Sequence, residues 1–114
     1  MSLTVITLSS AKIAALNDAF RTTLMGGRIM MTAGINALPD RTKANILTAV
    51  RNFSDFNEDN DPHREHDCAL FDVDGERCMF KIDYYDKTME FGSEDPANPE
   101  VTTRVLTIML VSEY

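Results

Sequence analysis

The stretch A-L-F-D-V-D-G-E-R-C-M-F, residues Ala69–Phe80, decides the fold. Ala69, Phe71 and Val73 recur at every second position up to Asp74-Gly75. That dipeptide is a two-residue hairpin signal, because both central positions of the favoured turn need a positive φ, which Asp and Gly tolerate. Pairing Val73 with Glu76 sets Phe71 opposite Cys78 and Ala69 opposite Phe80. Asp86-Lys87 reads as a second reversal, with Tyr84 opposite Met89 and Ile82 opposite Phe91. Ala69, Phe71, Val73, Cys78, Phe80, Ile82, Tyr84, Met89 and Phe91 then share one face, which predicts a three-stranded meander with one buried side.

Working outward, the period changes to that of helices. Ser9 or Ser10 can cap a helix to about Thr23, with Ile13, Leu16 and Phe20 on one face, and Gly26-Gly27 ends it. Arg28–Thr32 is too short for a helix between glycines and reads as a strand, closed by Gly34. A second helix starts near Pro39-Asp40, with Ile46, Leu47, Val50 and Phe53 as its apolar stripe. The last segment, V-T-T-R-V-L-T-I-M-L-V (Val101–Val111), is rich in β-branched residues. Its strict alternation fails at Val105-Leu106 and from Ile108 onward, whereas Val101, Val105, Ile108 and Met109 share a helical face. Asn98-Pro99-Glu100 is also a good helix entry, so the segment is expected to be helical. The predicted fold is one α+β domain, 1–114: an antiparallel meander of three strands, a fourth strand from 28–32, and about three helices on the apolar face.

Six words stand in order along the chain: N-D-A-F-R (Asn17–Arg21), G-R-I-M-M-T-A-G (Gly27–Gly34), F-x-x-D-N-D-P-x-x-E-H-D (Phe56–Asp67), V-D-G-E-R (Val73–Arg77), K-I-D-Y-Y-D (Lys81–Asp86) and T-x-R-V-L-T-I-M-L-x-x-E-Y (Thr102–Tyr114). Together they resemble a family of small bacterial proteins known as a domain of unknown function. The resemblance spans nearly the whole chain. It implies a common fold unit and brings no activity with it. Where that pattern has Phe-Gly after E-H-D, this chain has Cys68-Ala69.

Charge is unevenly spread. The formal net charge of −7 divides into +4 over residues 1–54 and −11 over residues 55–114. Asp55–Asp67 holds six carboxylates and both histidines in thirteen residues. Like charges so close repel unless water, a cation or a basic partner screens them. The acidic total disfavours direct nucleic-acid binding, although Arg21, Arg28, Arg41, Lys43 and Arg51 could gather on one face. No apolar run approaches the roughly 20 residues of a membrane helix. The start M-S-L-T-V-I-T-L lacks a basic leader, and a cytoplasmic location is expected.

The loop admits three chemical readings. Asp55, Asn57, Asp59 and Asp61 fall on alternate positions of a calcium-loop template, but Asn60 and His66 stand where it wants glycine and glutamate. Asp59, Asp61, His63, Glu65, His66 and Asp67 could instead hold zinc or manganese as the centre of a metal-dependent hydrolase. Alternatively, Asp and Asn turns shape a solvated loop before Pro62, and nearby acids favour protonated histidine, giving a pH-sensitive element. On the other sheet face Lys81, Asp83, Tyr85 and Glu90 gather, with Asp72 opposite Arg77. Met79 breaks the acid-x-lysine pattern of metal nucleases there, so cross-strand ion pairs are expected. Cys68 and Cys78 point to opposite faces, which precludes a disulfide, and no Gly-rich phosphate loop is present.

The leading expectation is a non-enzymatic binding protein. Asp55, Glu58, Asp59, Asp61 and Glu65, with Tyr85 as anchor, would dock on a basic protein surface such as the nucleic-acid site of a defence or processing enzyme, with carboxylates imitating phosphates. No cofactor is expected on that reading, and a divalent metal ion on the alternative one.

Overall fold

The computed structural model describes residues 3–114. Met1 and Ser2, at the start of the stretch read as leaderless, lie outside the described residues. Helix α1 (Leu3–Thr23) is followed by strand β1 (Gly27–Met31), a single turn α2 (Ala33–Asn36) and helix α3 (Asp40–Asn52). Strands β2 (Cys68–Val73), β3 (Glu76–Tyr85) and β4 (Thr103–Leu110) come next, and a short 3-10 turn, Val111–Glu113, ends the order. The sheet has four strands in the order β1-β4-β3-β2.

The hairpin has the register expected from its turn. Val73 pairs with Glu76, Phe71 with Cys78 and Ala69 with Phe80. Asp74 takes φ 51° and Gly75 φ 81°, the left-handed values that made this dipeptide informative. Helix α1 extends back beyond Ser9 and Ser10, because serine inside a helix costs only a fraction of a kcal/mol, about 0.5, relative to alanine. Helix α3 begins where expected, with Pro39 before it and Asp40 in its first turn, complementing the helix dipole. Ile46 and Val50 of α3 join Phe20 of α1 over Ala69, Phe71, Phe80, Ile82, Leu106 and Ile108 of the sheet.

Two expectations are corrected. Val101–Val111 was expected to be helical, but Thr103–Leu110 is strand β4, at the centre of the sheet. It pairs antiparallel with β3 and parallel with β1, so the sheet is mixed. A strand covered on both sides loses its alternation: Val105 and Met109 on one face are as buried as Leu106 and Ile108 on the other. The apolar run that mimicked a helix was that of a central strand.

The third meander strand is replaced by a turn. Asp86 Oδ1 accepts bonds from the Thr88 hydroxyl and the Glu90 and Phe91 amides, and its own amide donates to the Phe91 carbonyl. Met89 sits at φ 62°, and pairing is limited to one bridge between Tyr85 and Gly92. Phe91 is 70% exposed and does not join the core.

Candidate functional site

Three separated words of the sequence meet at one place. Helix α1 presents Asn17, Asp18 and Arg21 on one face, at positions three and four apart. The loop between α3 and β2 lies against them, and Tyr84 and Arg104 rise from β3 and β4 beneath.

Asn17 is the hub, and it is fully buried. Its amide nitrogen donates to the Glu65 carbonyl and the Tyr84 hydroxyl, each at 2.9 Å. Its amide oxygen accepts from Arg104 Nε at 2.8 Å. The Tyr84 hydroxyl donates onward to Glu65 Oε1 at 2.8 Å. The Arg104 guanidinium lies 5.2 Å from the centre of the Tyr84 ring, and its Nη2 donates to the Pro96 carbonyl. Burial pushes the Tyr84 phenol far above its ordinary range, with the Glu65 carboxylate adding to that rise. The same burial lowers Arg104, against the opposing pull of Tyr84 and Glu65.

A second knot adjoins the first. His66 Nδ1 lies 3.0 Å from both carboxylate oxygens of Asp18. A carboxylate only accepts, so Nδ1 carries the proton. The imidazole stacks on Phe56 with ring centroids 4.1 Å apart and planes 2° from parallel. Its Nε2 lies 3.6 Å from Asp61 Oδ2, while Asp61 Oδ1 accepts from the His66 amide at 3.2 Å. His66 holds φ 56°, so the Asp61 bond fixes a left-handed backbone. Arg21 is buried behind this pair. It donates to Asp18 and to the Val50 and Phe53 carbonyls, with its guanidinium over the Phe56 and Phe80 rings. An open cleft of about 770 Å3 runs between α1 and the loop, lined by Asp18, His63, Arg64, Glu65 and His66 among others.

The loop carboxylates therefore divide. Asp61, expected to face a partner, is 4% exposed, and Glu65 is half-buried with its carboxylate engaged by Tyr84. Asp55, Glu58 and Asp59 are exposed. Their backbone is pinned by Asn57, whose Oδ1 accepts from the Asp59 and Asn60 amides, and by Asn60, which bonds the Asn57 amide and the Asp55 carbonyl. Tyr85 lies on the opposite sheet face from Tyr84, away from this knot. There Lys81 pairs with Asp83, and Arg77 with Asp72 across the hairpin.

The metal set Asp59, Asp61, His63, Glu65, His66 and Asp67 does not converge. Among the described residues no group of three or more His, Cys, Asp or Glu side chains is disposed to hold a metal ion. Two of these carboxylates have hydrogen-bond partners within the fold instead, Asp61 accepting from the His66 amide and Glu65 from the Tyr84 hydroxyl. Among the described residues no hydroxyl or thiol hydrogen-bonds His66 Nε2, which faces Asp61 Oδ2 at 3.6 Å. The sequence reading missed Asn17, Asp18, Arg21, Tyr84 and Arg104 as one group. Asn17, Arg21, Tyr84 and Arg104 share one signal, a polar group at a position directed to the core, which the partly exposed Asp18 does not carry.

The fold and this knot define a small α+β domain in which a leading helix and an acidic loop are tied through buried polar side chains to a mixed sheet. The chain belongs to the DUF3768 family, described as proteins of unknown function, whose model matches residues 31–113. Helix α1, with Asn17, Asp18 and Arg21, precedes the matched span. No curated protein and no solved structure matches the chain.

Proposed function

We propose that this protein is a binding module that docks its acidic loop on a basic site of a macromolecular partner. The observation that supports it most is the division within Asp55–Asp67. Asp61 and Glu65 are consumed internally, whereas Asp55, Glu58 and Asp59 stand outward on a backbone fixed by Asn57 and Asn60. A charged surface already ordered before contact loses less freedom on binding. Outward carboxylates on such a loop can occupy the phosphate positions of a nucleic-acid-binding enzyme and steer its approach. Arg64 pairs with Glu58 at 3.7 Å, but both side chains are highly exposed, so the pair is easily exchanged for a stronger partner.

The test is capture of partners from a lysate of the native host at low and high salt. Wild type is compared with the triple change Asp55→Lys, Glu58→Lys and Asp59→Lys. Nucleic-acid-binding proteins recovered by wild type at low salt, and lost both at high salt and with the reversal, support the reading. Equal recovery by both proteins at both salt levels overturns it.

A further inference from the structure

Strand β1 is an edge of the sheet, with β4 on one side and no strand among the described residues on the other. The Thr32 amide donates to the Ile108 carbonyl of β4. Alternation along the strand then turns Met30 and Arg28 toward β4, and Gly27, Ile29 and Met31 outward. Their outer amides and carbonyls form a template, and among the described residues only the Met31 carbonyl is engaged, by the Asn36 side chain. Around them stand exposed apolar side chains: Met25 at 76%, Met30 at 58% and Ile29 at 37%.

The opposite edge is defended and this one is not. Strand β2 carries Asp72 and is flanked by Asp67 and Asp74, so two copies meeting there would repel. In β1 the charge is reversed. No carboxylate occurs between Asp18 and Asp40, and Arg28 is exposed within the strand. In a chain of net charge −7, this is the edge at which two copies can approach without opposing their acids.

We infer that β1 is the docking edge for a second copy of this chain, the two strands running antiparallel about a two-fold axis at Ile29. Ile29 then faces Ile29 of the second copy, and Gly27 faces Met31 at both ends. All three outward residues fall in the hydrogen-bonded positions of an antiparallel ladder. Arg28 comes opposite Met30, so no like charges are paired. A symmetric contact of this kind closes on itself. It joins two four-stranded sheets into one and leaves both acidic loops, which lead into β2, on the outer edges.

Sedimentation of the full chain over a range of concentrations tests the inference, together with two cysteine variants. The expected result is a reversible dimer for wild type. Ile29→Pro removes an outward amide without touching the β4 ladder, and should weaken the dimer about tenfold or more. Ile29→Lys, which keeps that amide but places a charge at the axis, should do the same if the proline variant folds poorly. Opposed residues in the hydrogen-bonded position lie about 5.5 Å apart at Cα, within disulfide range, so Ile29→Cys should form a covalent dimer on mild oxidation. Arg28→Cys, displaced from the axis, should not. A wild type that sediments as a monomer throughout overturns the inference. So does a dimer unaffected by both Ile29→Pro and Ile29→Lys, or equal cross-linking of the two cysteine variants.

Discussion

His66 Nδ1 stands 3.0 Å from both carboxylate oxygens of Asp18, a residue 48 positions earlier in the chain. The bond ties the loop to α1, and the same carboxylate bonds Arg21, which is buried. Asp18→Asn keeps the size and halves the acceptor capacity. It should cost about 1–3 kcal/mol in urea unfolding, because the Arg21 charge remains buried with carbonyls alone. Cleavage by a protease within Asp55–Asp67 should accelerate in the same variant. An unchanged midpoint and cleavage rate would show that the Asp18 bonds do not hold the loop.

Asn17 serves three partners at once, so its replacement should cost more than loss of any one of them. Asn17→Leu strips Arg104 Nε of its acceptor inside the fold, and should destabilise by about 3 kcal/mol. Tyr84→Phe removes one hydroxyl and should cost about 1 kcal/mol. The double variant should fall short of the sum, since both changes break the same bond. Strict additivity in denaturant melts would mean that the network is not coupled.

Two carboxylates pull the pH dependence of stability in opposite directions. Burial raises Asp67 above its ordinary value of 3.8, with Glu65 and Asp61 adding to the rise against its backbone hydrogen bond. The folded state therefore holds that proton longer than the unfolded one, and stability falls as pH rises from 3.8 through the raised value. Glu113 is lowered from 4.5 by the Thr32 hydroxyl first, and then by the Leu110 and Gly34 amides. Its contribution is present above 4.5 and is lost as pH falls through the lowered value. At neutral pH Asp67→Asn should exceed wild type in stability and Glu113→Gln should fall below it. Both differences should shrink in acid. Melting curves across the acid range check both signs.

Gly27 is tightly placed against the core end of α1. A Cβ there would stand 2.5 Å from the Arg104 carbonyl oxygen and 2.7 Å from Phe20 Cζ. Gly27→Ala should cost about 1–3 kcal/mol, by thermal or chemical unfolding, because backbone must shift to admit the methyl. A wild-type melting temperature would place β1 farther from β4 than the structure has it.

Cys68 pairs with Lys81 and Cys78 with Phe71, one on each face of the hairpin. Both thiols are free, and burial raises both above the ordinary thiol value. Native protein should therefore alkylate slowly at the half-buried Cys68 and not at the buried Cys78, with both reacting in denaturant. Mass analysis without reductant should find no bond between them.

What the sequence determined by itself is what local geometry enforces. Asp74-Gly75 selects a tight turn, and a tight turn dictates register, so every pair of the β2–β3 hairpin follows from two residues. The apolar spacing of Ile46, Leu47 and Val50 similarly specifies the inner face of α3. The tertiary structure alone decided what depends on neighbours distant in the chain. Thr103–Leu110 lacks strict alternation because both faces of the strand are buried, and its strand state is imposed by pairing with β1 and β3. Phe91 looked like a core residue, yet the Asp86 side chain captures the amides that a third hairpin strand would have used. The Asn17, His66 and Arg104 knot joins residues up to 87 positions apart, and polar partners are chosen by proximity after folding. Composition showed a loop crowded with like charge. Only the packed structure determined that Asp61 and Glu65 would find hydrogen-bond partners within the fold, leaving Asp55, Glu58 and Asp59 to the solvent.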